Sequence, residues 1–175
     1  MTDILLMVLL AIIAAVGILL LIASRRPDNF YAARSLQIAA PPNRLHGLIN
    51  DLRQMNRWNP YALRDCGGIA EYSGPEAGPG ATFHFAGKGG TGQVIVTDSS
   101  PALIGMRLVM TKPIAGDNRV EFQLKPVGDQ TEVTWAMKGK QNLLIKVLSL
   151  FINCERMMAR DFDEGLGNLK AIAEG

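Results

Sequence analysis

Residues 118–125 (NRVEFQLK) and 131–138 (TEVTWAMK) carry the sharpest pattern in this 175-residue chain. In the first, Val120, Phe122 and Leu124 alternate with Arg119, Glu121 and Gln123; in the second, Val133, Trp135 and Met137 alternate with Glu132, Thr134 and Ala136. A period of two sends successive side chains to opposite faces of a strand, so each segment has one apolar face. Gly128-Asp129 between them supplies a turn. Strands joined this closely pair antiparallel, because a parallel crossover needs a dozen or more residues.

The same punctuation continues upstream. Further strands read at about residues 68–73, 81–87, 91–97 and 102–110, separated by breakers at 74–80, 87–90, 99–101 and 113–117. A strand at 30–40 precedes them, with Phe30, Ala32, Leu36 and Ile38 on one face and Arg34 the exception there. Between it and the second strand, Leu45, Leu48, Ile49 and Leu52 recur at helical spacing after Pro41-Pro42. Met55 and Trp58 extend that side into a second short helix, which Asn59-Pro60 is expected to break. Downstream, Met158, Phe162, Leu166, Leu169 and Ile172 form the stripe of a long amphipathic helix. The expected architecture is α+β, in the order β-α-α-β6-α: seven antiparallel strands whose single apolar face is covered by the C-terminal helix. Glycines at 87, 89, 90, 92 and 105 would permit bulges and strong curvature, or mark turns.

The chain opens differently. Residues 4–23 are all apolar or glycine, enough at about 1.5 Å per residue to cross a hydrocarbon core of roughly 30 Å. A cleaved signal peptide would want a basic start and a shorter apolar run, and Met1-Thr2-Asp3 has no Lys or Arg. A core helix would normally carry a polar stripe. Residues 1–24 are therefore read as an N-terminal transmembrane anchor, 25–29 as a juxtamembrane linker broken by Pro27, and 30–175 as one domain. Arg25, Arg26 and Arg34 follow the apolar run, which predicts the N-terminus outside and the domain in the cytoplasm, at the cell membrane.

The net charge is only +2, which excludes the electrostatic footprint of a nucleic-acid binder. Cys66 and Cys154 stand in no metal-like spacing, and two distant cysteines suit a reducing compartment better than a disulfide framework.

Several short strings in chain order resemble a known family: residues 34–42 (RSLQIAAPP), 48–53 (LINDLR), 58–60 (WNP), 72–75 (YSGP), 78–81 (GPGA), 133–139 (VTWAMKG) and 161–170 (DFDEGLGNLK). Together they are similar to the polyketide cyclase/dehydrase branch of the SRPBCC, or START-like (Bet v 1-like), superfamily, over nearly the whole of residues 30–174. The resemblance implies a helix-grip fold, in which the sheet wraps the C-terminal helix and encloses a pocket for a hydrophobic ligand. It implies no chemistry, because lipid carriers, hormone receptors and aromatic cyclases share that fold.

Candidate chemistry is sparse. His46 and His84 have no metal-ligand company, so no metal and no cofactor are expected. His46 reads as solvated at the border of its helix, and His84, alternating with Phe83 and Phe85, as outward-facing. Asp65 puts the wrong charge beside Cys66 for a reactive thiolate. Glu71, Glu121 and Glu132 are candidate paired carboxylates, but strand glutamates on a polar face are usually solvated, and Arg107 reads the same way. The stretch 87–92 (GKGGTG) joins two strands and lacks the strand-to-helix setting of a phosphate loop. The cavity candidates are Phe83, Phe85, Met106, Leu108, Phe122, Leu124, Trp135, Met137, Met158 and Phe162, since ligand sites are mainly apolar and methionines adapt. Trp58 and Trp135 read first as structural packing.

The expected function is a membrane-anchored module that binds a lipid or another hydrophobic molecule, with the bilayer and that ligand as partners. The alternatives are a cyclase- or dehydratase-type enzyme and a structural partner of another membrane protein. Residues 143–152, apolar except for Lys146 and Ser149, are either buried or membrane-facing.

Overall fold

The structure, a computed structural model, describes residues 2–65 and 67–175, with backbone only at Thr2. It begins with a long apolar helix, α1 (Thr2–Ser24), and the first strand, β1 (Asn29–Ile38), follows after a short linker. Three short helices come next: α2 (Pro42–Asn50), α3 (Leu52–Met55) and α4 (Pro60–Arg64). Strands β2 (Ile69–Ser73), β3 (Thr82–Gly87), β4 (Gly90–Ser100), β5 (Leu103–Lys112), β6 (Gly116–Val127) and β7 (Gln130–Lys140) then run as a meander. Two helices close the chain, α5 (Leu143–Leu148) and α6 (Cys154–Glu174).

All seven strands form one curved antiparallel sheet in the order β1-β7-β6-β5-β4-β3-β2. The meander places β2 at one edge, and the three short helices carry the chain there from β1 at the other. Register follows the alternation: Val120 opposes Met137, Phe122 opposes Trp135 and Leu124 opposes Val133, all on the inner face. The ladder between β4 and β5 shifts register at Thr91/Gly92 and Val96/Asp98. At the first shift a Cβ on Gly92 would fall 2.3 Å from the Val109 carbonyl oxygen, so the close approach requires glycine.

Helix α6 lies across the inner face with Phe162, Leu166 and Leu169 fully buried, as its stripe predicts. Its direction is pinned to β1: Arg34 pairs with Asp163 at 3.4 Å, Lys170 donates to the Gln37 carbonyl at 3.2 Å, and the Ala39 amide donates to Glu174 at 2.7 Å. The C-terminal part of α6 therefore covers the Ile38 end of the sheet, and its N-terminal part reaches the Phe30 end. At Gly165 a Cβ would stand 2.5 Å from Trp135 Cζ3 and 3.0 Å from Pro60 Cδ. That glycine lets α6, α4 and β7 converge.

Two local details depart from the sequence pattern. Helix is interrupted before Asn59-Pro60 as expected, but the same pair also starts α4: the Asn59 side chain caps the Tyr61 amide at 3.1 Å, and Pro60 takes the first-turn position, where a missing N–H costs nothing. Residues 143–152 divide into α5 and a turn, and the polar residue is the buried one. The Lys146 side chain is 7% exposed and its ammonium pairs with Asp28 of the linker, whereas Leu143, Leu144, Leu148, Phe151 and Ile152 are exposed. Cys66 lies outside the described residues.

Candidate functional site

The inner face divides along the strand direction into a filled end and an open end. At the filled end an aromatic cluster occupies the space between sheet and helix. Trp135 stacks on Phe162 with ring centroids 4.5 Å apart, and Trp58 meets Trp135 at 5.8 Å and Phe122 at 5.9 Å, both edge-on. Trp58 Nε1 donates to the Leu48 carbonyl at 2.9 Å, and Asn168 Nδ2 donates to the Trp58 carbonyl at 3.1 Å. The packing role read for both tryptophans is what the geometry supports. Trp135 Nε1 is a buried donor with no protein acceptor among the described residues.

The ten cavity candidates distribute across this division. Phe83, Met106, Phe122, Leu124, Trp135 and Phe162 are buried within the core cluster, while Phe85, Leu108, Met137 and Met158 are only half-buried against it. Leu108, Phe85 and Met158 share one end of the sheet, and Met137, level with buried Met106 through Val120, borders it. Leu108 pairs across to Asn118 and Val94, Asn118 to Gly139, and Gly139 to Phe30, so Leu108 stands level with the start of β1. Phe85, opposite Gly92, which pairs with Met110, is farther out on the same side. Met158, in the second turn of α6, faces this end.

The polar candidates point elsewhere. Arg107 clasps Asp117 on the outer face, with Nε 2.9 Å from Oδ1; the same pair raises the guanidinium pKa and lowers that of Asp117. Glu121 accepts from Arg119 at 2.6 Å and pairs with Lys138 at 3.4 Å, also outside. His84 shares a 3.1 Å hydrogen bond with Ser73, on the outer side of the β2–β3 pair. Glu71 lies on edge strand β2, while Glu121 and Glu132 lie on β6 and β7, so the sheet order keeps Glu71 away from the other two. Glu132 stands opposite Lys125 and Gln37. Of these groups His46 departs from expectation: it is half-buried, and its Nε2 lies 3.1 Å from Ser99 Oγ, which the bulge in β4 carries to the helix side. Among the described residues no three His, Cys, Asp or Glu side chains gather as a metal site.

One polar group was not legible beforehand. Asp161, on the edge of the α6 stripe, is buried and accepts from Arg64 Nη1 at 2.7 Å; Arg64 also pairs with Glu164. Tyr61 keeps 44% of its surface, yet desolvation of its hydroxyl, followed by the charge and hydrogen bond of Asp161, pushes the phenol pKa up. This group ties α4 to α6. The only early sign of it was an aspartate beside an apolar stripe.

Open depressions mark the surface outside the grip. One, about 1100 Å³, runs over the outer face and rim past Tyr31, Asp98, Arg107, Arg119 and Lys138. A smaller one, about 520 Å³, lies beside His46 and Ser99.

Comparison with known proteins accords with this geometry. A family model described as polyketide cyclase / dehydrase and lipid transport matches residues 31–174. No curated protein matches the chain. Among solved structures, protein CV1439 from Chromobacterium violaceum is similar at 17% identity and a TM-score of 0.59, over 86% of this chain and 99% of that one. Protein Mll3558 from Rhizobium loti is similar at 19% identity and a TM-score of 0.60, over 82% and 96%. Aha1 from Colwellia psychrerythraea, solved as a dimer, is similar at 16% identity and a TM-score of 0.57, over 83% and 96%. Likenesses at these identities speak for the fold.

Proposed function

Because this chain belongs to the polyketide cyclase/dehydrase and lipid transport family, we propose that it is a membrane-anchored binding module, which takes a lipid, isoprenoid or similar hydrophobic molecule into the open end of its grip. The observation that carries the reading is the change in packing along the inner face. Six of the candidate side chains fill the core, and Phe85, Leu108, Met137 and Met158 leave an apolar, adaptable surface half-covered at the end of the sheet where α1 enters. The site is thus narrower than the ten residues suggested. Helix α1 is long and apolar enough to cross a membrane. As an anchor it holds that end near the bilayer and raises the local concentration of any lipid-soluble ligand. Arg25, Arg26 and Arg34 beyond it favour a cytoplasmic domain.

Native mass spectrometry and solvent extraction of the detergent-purified full chain test the reading. An apolar species should copurify, and Leu108→Trp or Met137→Trp, which fill the open end, should lower its occupancy about tenfold while leaving the fold intact. Recovery of the protein always empty, or occupancy unaffected by both substitutions, refutes it.

A further inference from the structure

We propose that residues 143–157, helix α5, the turn after it and the first turn of α6, form a wedge that inserts into the headgroup and upper acyl region of the bilayer α1 crosses, fixing the domain at two points. The inference rests on reading α1 as an anchor and adds a second, independent membrane contact.

The first observation is an inverted amphipathic segment. Leu144 is 56% exposed, Phe151 71%, Ile152 50% and Met157 55%, while Lys146, the one charged residue of α5, is buried. A short helix made for water would face the other way. The segment is too short to cross a bilayer, and most of its apolar side chains stand exposed among the described residues.

The second observation fixes where that side sits. The end of α1 packs on α5, and Ala23 is fully buried in a helix whose other apolar residues are almost all exposed. The Arg26 guanidinium, one turn on, donates to the carbonyl and hydroxyl oxygens of Ser149, each at 3.2 Å. Lys146 reaches back to Asp28. The exposed apolar surface of α1 is therefore continuous with that of α5 and the turn. Once α1 spans a membrane, α5 is held where α1 leaves it, at interfacial depth, and the occupant in contact with both surfaces is lipid.

The test uses the full chain in phosphatidylcholine/phosphatidylglycerol vesicles, with native cysteines replaced by serine and single nitroxide labels placed by Leu10→Cys, Phe151→Cys, Ile152→Cys or Val127→Cys. All four side chains are exposed, so the labels leave packing alone. Accessibility to oxygen should exceed accessibility to a water-soluble nickel chelate at positions 10, 151 and 152, by several-fold, and the ratio should reverse at 127 on the far β6–β7 turn. Labels at 151 and 152 that match 127 while position 10 stays in lipid overturn the wedge and leave the anchor standing. Water exposure at position 10 overturns both. Labels at 151 and 152 shielded from both reagents reveal a protein neighbour, a second copy or another membrane protein, and overturn the lipid assignment. None of these outcomes bears on ligand occupancy, which the extraction experiment reads separately.

Discussion

Gly165→Ala and Gly167→Ala place the same methyl group on the same helix two residues apart, and the structure predicts opposite signs. Glycine in a helix interior costs roughly 0.5–1 kcal/mol relative to alanine, so an unobstructed replacement stabilises by about that amount. Gly167 is unobstructed, with nothing within 4 Å of its added Cβ. At Gly165 the Cβ would lie 2.5 Å from Trp135 Cζ3 and 3.0 Å from Pro60 Cδ, against an ordinary carbon–carbon contact of about 3.5–4.0 Å. Something must move by roughly 1 Å. The Trp135 ring cannot yield freely, because it is stacked at 4.5 Å on Phe162 and met edge-on by Trp58. Overpacking of this kind costs about 1–3 kcal/mol, and so close an approach to a held ring belongs in the upper part, about 2–3; less a propensity gain of about 1, the net is about 1–2 kcal/mol of destabilisation. At roughly 2–4 °C per kcal/mol for a domain of this size, Tm should fall by about 2–8 °C. The chain has two tryptophans, Trp58 and Trp135, and both belong to this cluster, so intrinsic fluorescence in detergent reports its unfolding directly. If Gly165→Ala proves as stable as the parent, or gains what Gly167→Ala gains, the argument that α6 needs glycine to approach β7 is wrong.

The other predictions concern ion pairs. Arg64→Ala leaves Asp161, whose side chain is 12% exposed, without its guanidinium; discounted for a half-exposed arginine, the loss is about 1–2 kcal/mol. Adding Asp161→Asn should restore part of it, and urea midpoints check both variants. The Lys146 hydrogen bond and charge lower the Asp28 pKa below its ordinary 3.8. The ionised carboxylate then favours the docked state: its contribution is complete above about pH 4 and is lost as pH falls through the lowered folded value. Hydrogen exchange in α5, corrected for intrinsic rates, should show protection at pH 5 that falls away as pH drops below the ordinary carboxylate value, and Asp28→Asn should remove this step.

The sheet was legible because alternation is local. Val120/Phe122/Leu124 and Val133/Trp135/Met137 declare their faces without reference to the rest of the chain, and the ladder registers agree with them. The outward positions of Arg107, Glu121 and His84 followed from the same rule. What alternation cannot give is how far along each strand the covering helix extends. Met106 and Leu108 are equivalent in sequence terms, yet one is fully buried and the other half-open, since their depth depends on where α6 lies. His46 was misread because its partner Ser99 faces it through a register shift in β4. The orientation of α5 was hidden for a similar reason. Lys146 turns inward toward Asp28, more than a hundred residues away, so a window confined to the segment contains no sign of it.

The anchoring of α6 accounts for the open end. Arg34, Gln37 and the Ala39 amide hold positions 163, 170 and 174 of the helix against β1, so its well-fixed part lies over the rows containing Ile38, Val133, Leu124, Trp135 and Phe122, all buried. Toward the start of the helix these tethers cease. Met158 is half-buried, Met157 is exposed, and α5 turns away to meet α1 instead of continuing across the sheet. The inner-face rows beyond Met106, with Leu108, Val94 and then Phe85, are left with partial cover. A domain of this size could have closed that end with a longer α6, because the apolar residues needed are present in 143–152. Leu143, Leu144, Leu148, Phe151 and Ile152 are instead exposed, on the segment that contacts the apolar N-terminal helix. Opening of the grip and exposure of α5 thus follow from one redirection of the chain after β7, and both lie at the end of the domain that α1 joins.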